Sequence, residues 1–207
     1  MRDAYQRELL KLHDSLIEMG NTCEKIIHET YQALIQNDTD ILDDIERLES
    51  SINRQERQIE RDCMNLLLLQ QPVATDLREV SSALKMITDL ERIGDQAFDI
   101  ADIIRKHPNL SEDVKKVPMQ EMAQVTMEMV HESVMSYVKS DLAQAKKVLG
   151  MDDKVDELFE VIHRSVKANI EQETALEILM IAKYYERIGD HATNVAEWVE
   201  YSITGEH

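Results

Sequence analysis

Along residues 91–104 apolar side chains recur every three or four positions: Ile93, Ala97, Ile100, Ala101 and Ile104. At about 100° per residue they collect on one side of a helix. Glu91, Asp95, Asp99 and Asp102 collect on the opposite side. Residues 186–199 repeat the design, with Ile188, Ala192, Val195, Ala196 and Val199 set against Glu186, Asp190, Asn194 and Glu197. Both segments open on the same five residues, ERIGD. The offset that carries Glu91 onto Glu186 is 95 residues. Solenoid repeats run about 20–50 residues, so this period marks a duplicated bundle.

The pattern predicts three helices in each copy, over roughly 4–36, 39–69 and 72–106, then roughly 118–139, 141–169 and 172–202. Asn37-Asp38 and Ser140-Asp141 supply N-cap chemistry, and Pro72 suits a first helical turn. The segment HPNLSEDVKKVP, residues 107–118, carries two of the three prolines and little periodicity, and reads as a linker. The expected fold is therefore all-α: two tandem three-helix bundles, one over 1–106 and one over 119–207, each burying its apolar stripes in up-down-up order. Glycine inside a helix costs about 1 kcal/mol relative to alanine. Close packing or backbone access is thus expected at Gly94 and Gly189.

Composition agrees and narrows the chemistry. Five glycines and three prolines, against 43% apolar residues, suit long helices around a real core. A net charge of −18 disfavours nucleic acid and anionic lipid as partners, and favours cations or basic protein patches. Cys23 and Cys63 form no C-x-x-C pair and fall in helical patterns, as core thiols do. The N-terminal MRDAYQRELLKL is charged throughout, and no apolar run approaches the length of a membrane span. A cytoplasmic location without membrane insertion is the expectation.

The placement of the acids is more informative than their number. A solvated helix face usually interleaves Lys or Arg at i+4, each pair contributing about 0.2–0.5 kcal/mol. Here acid follows acid: Glu91 and Asp95, Glu186 and Asp190, and again Asp152 and Asp156 on the preceding helix. Glu49 and Asn53 hold the matching places in the first copy. On antiparallel neighbours, residues at one height share a common mean position. Asp152 with Asp190, and Asp156 with Glu186, both centre on residue 171, while Glu49 with Asp95, and Asn53 with Glu91, centre on 72. Both centres fall at expected turns. Two oxygen-rich patches follow, and such patches suit hard or borderline cations such as Fe³⁺, Mn²⁺ or Mg²⁺.

ERIGD on the third helix of each copy, with a D-x-x-x-D-type pair on the helix before it, resembles the PhoU phosphate-transport regulators. QQPVATDLREV at 70–80 also has the look of that family's turn into its third helix. The resemblance implies two three-helix bundles related by pseudo-twofold symmetry, carrying surface iron or zinc clusters. Transferred onto this sequence, the ligands are Glu91 and Asp95 with Glu49, then Glu186 and Asp190 with Asp152 and Asp156. Asn53 departs from an acid at its slot and leaves a weaker amide oxygen there, while Asp99 and Asn194, one turn on, could each add an oxygen. Arg92 and Arg187 could buttress the carboxylates. The resemblance further implies a non-enzymatic negative regulator of the phosphate-starvation response. Its implied partners are the ATPase of the phosphate ABC transporter and a sensor histidine kinase, with assembly as homodimers or higher oligomers.

A rival of another class is a di-iron carboxylate enzyme or iron store, whose signature is Glu-x-x-His on two helices. Glu128-x-x-His131 and Glu160-x-x-His163 fit that spacing. The first copy has no such motif, and the acidic stripes oppose the core stripes, whereas a di-iron site must face inward. No nucleophile motif or phosphate-cradling glycine loop is present.

Overall fold

The protein is described by a computed structural model over residues 2–36, 38, 40–69 and 74–206. Its helices are α1 (Arg2–Gln36), α2 (Asp40–Leu69), α3 (Ala74–Lys106), α4 (Ser111–Val114), α5 (Met119–Lys139), α6 (Leu142–Asn169) and α7 (Gln172–Thr204). No strand occurs among the described residues. Local chemistry explains the breaks. Asp141 caps α6, its side chain accepting from Gln144 N at 3.0 Å. Asp38 accepts from Asp40 N at 2.9 Å before α2, while Asn37 and Pro72 lie outside the described residues. Asp76 in the first turn of α3 and Arg105 and Lys106 in its last turn complement the helix dipole.

Helices α1–α3 pack as one trio and α5–α7 as another. The trios are fastened along α3 and α7, the most extensive contact in the molecule, and along α1 and α5. Four helices thus form an inner layer, with α2 and α6 on its opposite flanks. Leu16, Ile26, Ile52, Ile93, Val155 and Ile188 are completely buried in one continuous core. Each such side chain contributes about 1.5–3 kcal/mol through burial. Cys23 and Cys63 are buried in it too, and Cys23 Sγ points to Leu90 O at 3.4 Å.

The connecting segment is itself packed. Leu110, Val114 and Val117 recur at helical spacing and are buried, and the short α4 rests on α1. Asp113 accepts from Thr174 Oγ1 at 2.6 Å, tying the connector to α7.

Both ERIGD glycines lie at close helix crossings. A Cβ on Gly94 would stand 2.9 Å from Ile52 Cδ1, and one on Gly189 would stand 3.3 Å from Val155 Cγ1. Ile52 and Val155 are therefore equivalent residues of α2 and α6. From Ile52 to Gly94 the chain runs 42 residues, and from Val155 to Gly189 it runs 34. The α2–α3 hairpin is thus about one helical turn longer on each arm than α6–α7.

Where α3 crosses α7 the chains run antiparallel and polar groups interlock. Asp89 Oδ1 lies 2.9 Å from His191 Nδ1 and accepts from Asn194 Nδ2 at 3.0 Å. One turn earlier on α3, Lys85 Nζ sits 5.8 Å from the centroid of Trp198, the single tryptophan.

Candidate metal centres

In the second half, the close passage of Gly189 against Val155 sets α6 beside α7 and brings Asp152 next to Asp190. Asp152 is half-buried, and its carboxyl is held above the usual range, first by burial and then by the charges of Asp156 and Asp190. The Thr193 hydroxyl beside it pulls the other way. Asp156 and Asp190 are exposed. Glu186 lies one turn before Asp190, is mostly buried, and contacts the Lys183 ammonium. That ammonium also lies 5.4 Å from the centroid of the Phe159 ring.

In the first half, Glu91, Asp95 and Glu49 come within mutual electrostatic reach on α3 and α2. The Glu91 carboxyl is held above its usual range by burial, then by Asp95, Glu56 and Glu49, with Arg92 opposing. Arg92 spans the pair: its Nε is 3.7 Å from Glu91, and its Nη1 donates to Asp95 at 3.1 Å. Asn53 donates its amide to Glu49 at 2.5 Å, so the neutral residue serves a carboxylate rather than repelling it.

Two candidate positions are engaged elsewhere. Asn194 binds Asp89 across the α3–α7 crossing. Asp99 has its carboxyl raised by burial, then by Asp95 and Asp102, and is opposed by Arg187 of α7. Arg187 forms no ion pair among the described residues, so it does not buttress Glu186 and Asp190 as Arg92 buttresses Glu91 and Asp95.

Three contributors escaped the sequence reading. Glu56 is raised by burial, then by Glu60, with Asp95 also acting on it, which places it at the first patch. Its position seven residues after Glu49, on the same side of α2, was a usable signal. Lys183 and Thr193 carried none beyond lying one turn from Glu186 and Asp190. With the side chains as they stand, no three His, Cys, Asp or Glu among the described residues converge tightly enough to hold an ion. The donor chemistry fits an oxygen-seeking cation, and Arg92 and Lys183 stand among the carboxylates instead.

The di-iron motifs do not face inward. Glu128, His131, Glu160 and His163 are all exposed, with Glu128 paired to Lys147 at 3.2 Å and His131 to Glu24 at 3.0 Å.

The family model described as PhoU domain matches the chain twice, over residues 16–104 and 119–199. The chain belongs to the PhoU family. The phosphate-specific transport system accessory protein PhoU homolog of Clostridium acetobutylicum is 34% identical, over 99% of this chain and 96% of that protein. The homolog from Deinococcus radiodurans is 31% identical over 99% of both. The crystal structure of PhoU from Pseudomonas aeruginosa superposes with a TM-score of 0.86 at 30% identity, covering 98% of this chain and all of that one. The phosphate transport system regulatory protein PhoU from Streptococcus pneumoniae shares the fold, with a TM-score of 0.87 at 24% identity and 98% coverage of both chains. The all-α PhoU architecture expected from the sequence is the one observed. No helix among the described residues is long and apolar enough to cross a membrane.

Proposed function

We propose that this PhoU protein is a cation-binding accessory regulator of phosphate uptake and phosphate-starvation signalling, working by protein contacts and not by catalysis. The observation that carries the regulatory role is end-to-end similarity to proteins named as accessory to phosphate-specific transport. Its contacts are the transporter ATPase and a sensor histidine kinase at the cytoplasmic side, and it assembles with further copies of itself. Loss of the gene should raise phosphatase expression and phosphate uptake at high phosphate. A deletion strain without a second PhoU gene and with unchanged phosphatase and uptake refutes this.

Cation binding is supported by the carboxylates themselves. Asp152, Asp156, Asp190 and Glu186 would hold a metal ion between α6 and α7, and Glu91, Asp95, Glu49 and Glu56 would do so between α3 and α2. A bound cation supplies positive charge that offsets carboxylate repulsion and ties two helices together. Binding stabilises by mass action, about 2.7 kcal/mol at a ligand concentration one hundred times Kd. Elemental analysis of protein purified without chelator, with iron, zinc, manganese and magnesium measured together, tests the reading and identifies the ion.

A further inference from the structure

The flank helices α2 and α6 each turn one face to the inner layer and the other to solvent. On the solvent side of α2, Arg54, Arg57 and Arg61 fall within about 60° of one another, opposite the buried Ile52 and Ile59. All three are exposed, and none forms an ion pair among the described residues, although acids outnumber bases 41 to 23 in the chain. Arg61 donates to the neutral Gln58 at 2.8 Å. Glu18 of α1 lines the same shallow groove without pairing with any of them. Like charges three and four residues apart repel, so the row stands uncompensated within its own molecule.

The solvent side of α6 carries the opposite sign. Asp153, Glu157 and Glu160 fall within about 60° of one another, opposite the buried Val155 and Ile162. They too are exposed and form no ion pair among the described residues. Since Ile52 and Val155 are equivalent, Arg54 corresponds to Glu157 and Arg57 to Glu160, so the duplicated halves have opposite charges at matching places. The spacings also interlock. From Arg54 to Arg61 the steps are three and four residues, and from Glu160 back to Asp153 they are again three and four. In one antiparallel register Arg54 meets Glu160, Arg57 meets Glu157 and Arg61 meets Asp153. Arg164, one turn beyond, falls opposite Ser50.

We propose that the arginine row of α2 docks on the acidic row of α6 in a second copy of this chain, head to tail. The inference rests on the self-assembly reading above and names its contact. The two rows lie on opposite flanks and do not meet within one molecule. A two-fold contact through either flank would set arginine against arginine or acid against acid, which is repulsive. The head-to-tail contact leaves one row free on each outer flank, so copies add in an open series. Exposed ion pairs are individually weak and screened by salt, so the association is of low affinity and salt-dependent.

Sedimentation velocity in chelator, at about 0.02 M and about 0.5 M salt, tests the contact, with circular dichroism confirming that each variant folds. The parent should associate at low salt and dissociate at high salt. Arg54→Gln, Arg57→Gln and Arg61→Gln together should weaken association about tenfold or more, as should Asp153→Asn, Glu157→Gln and Glu160→Gln together. Mixed, the two triple variants should form a one-to-one pair that grows no further, because each retains the row the other lacks. Arg57→Glu alone and Glu157→Arg alone should each weaken association, and both changes in one chain should restore it. Triple variants that associate like the parent, a mixture that does not pair, or no rescue by the double exchange overturns the inference, while association of the parent leaves self-assembly standing. A parent that stays monomeric at low salt overturns both.

Discussion

Replacing each ERIGD glycine by alanine should separate the two halves by sign. Alanine gains about 1 kcal/mol over glycine in a helix interior. At Gly94 the new methyl would stand 2.9 Å from Ile52 Cδ1 and 3.3 Å from Ile52 Cγ2, inside contact distance of a fully buried side chain. Overpacking of this kind costs about 1–3 kcal/mol, so Gly94→Ala should lose about 1 kcal/mol net. At Gly189 the nearest atom is Val155 Cγ1 at 3.3 Å, and a shift of a few tenths of an ångström suffices to relieve it. Gly189→Ala should therefore be neutral or gain up to about 1 kcal/mol. For a domain of this size 1 kcal/mol moves the melting temperature by about 2–4 °C. Thermal melts of both variants in chelator give the comparison. If Gly94→Ala is as stable as Gly189→Ala, close packing is not why the first glycine is there.

Three further outcomes are expected. Glu186→Gln with Asp190→Asn should abolish binding at the second patch and its thermal stabilisation, whereas Glu91→Gln with Asp95→Asn should lose less Mn²⁺, because Asn53 and Arg92 already weaken the first patch, read by dialysis and melts. Asp89→Ala should cost about 2 kcal/mol, the worth of hydrogen bonds to a mostly buried charge, and should change the fluorescence of Trp198 one turn away; a loss under about 0.5 kcal/mol would show the crossing does not depend on it. Asp152 has its carboxyl raised in the folded state, so the metal-free fold takes up its proton more readily than the unfolded chain. Its effect is to lower stability as pH rises from the usual carboxylate range through the raised value, so it opposes stability at neutral pH. Asp152→Asn should thus stabilise the metal-free protein at pH 7.5 and lose that advantage toward pH 4, and equal shifts at both would refute the assignment.

The helices and the carboxylate patches were legible because both follow from position along a single helix or about a single turn. Three- and four-residue spacing placed Ile93, Ile100 and Ile104 in the core, and equal distances from a turn set Asp152 beside Asp190. What a helix meets on its far side depends on the rotation and crossing of a second layer, which spacing alone does not encode. Hence Asn194 looked like an extension of the second patch yet serves Asp89, and Asp99 acts on Arg187. Counter-charges were also hidden. Lys183 lies outside the ERIGD motif, and its neighbour Phe159 comes from a different helix. The packing of the connector is not legible in its sequence, because its apolar stripe, Leu110, Val114 and Val117, is short and bracketed by prolines.

The unequal hairpins set a rule for how such a duplicated chain can drift. Measured from the glycine crossing, the first hairpin carries eight more residues than the second, three of them in each arm, close to one full turn, and two between the helices. A whole turn restores the angular phase of every residue beyond it, so the same faces stay inward. An insertion of one or two residues in a single arm would rotate all that follows by about 100–200° and expose the apolar stripe. Lengthening is therefore tolerated only in matched steps of three or four residues per arm, and deletions obey the same grammar. Lineages of this fold should differ in hairpin length by quanta of about seven or eight residues, while the spacing from ERIGD back to the core stays fixed.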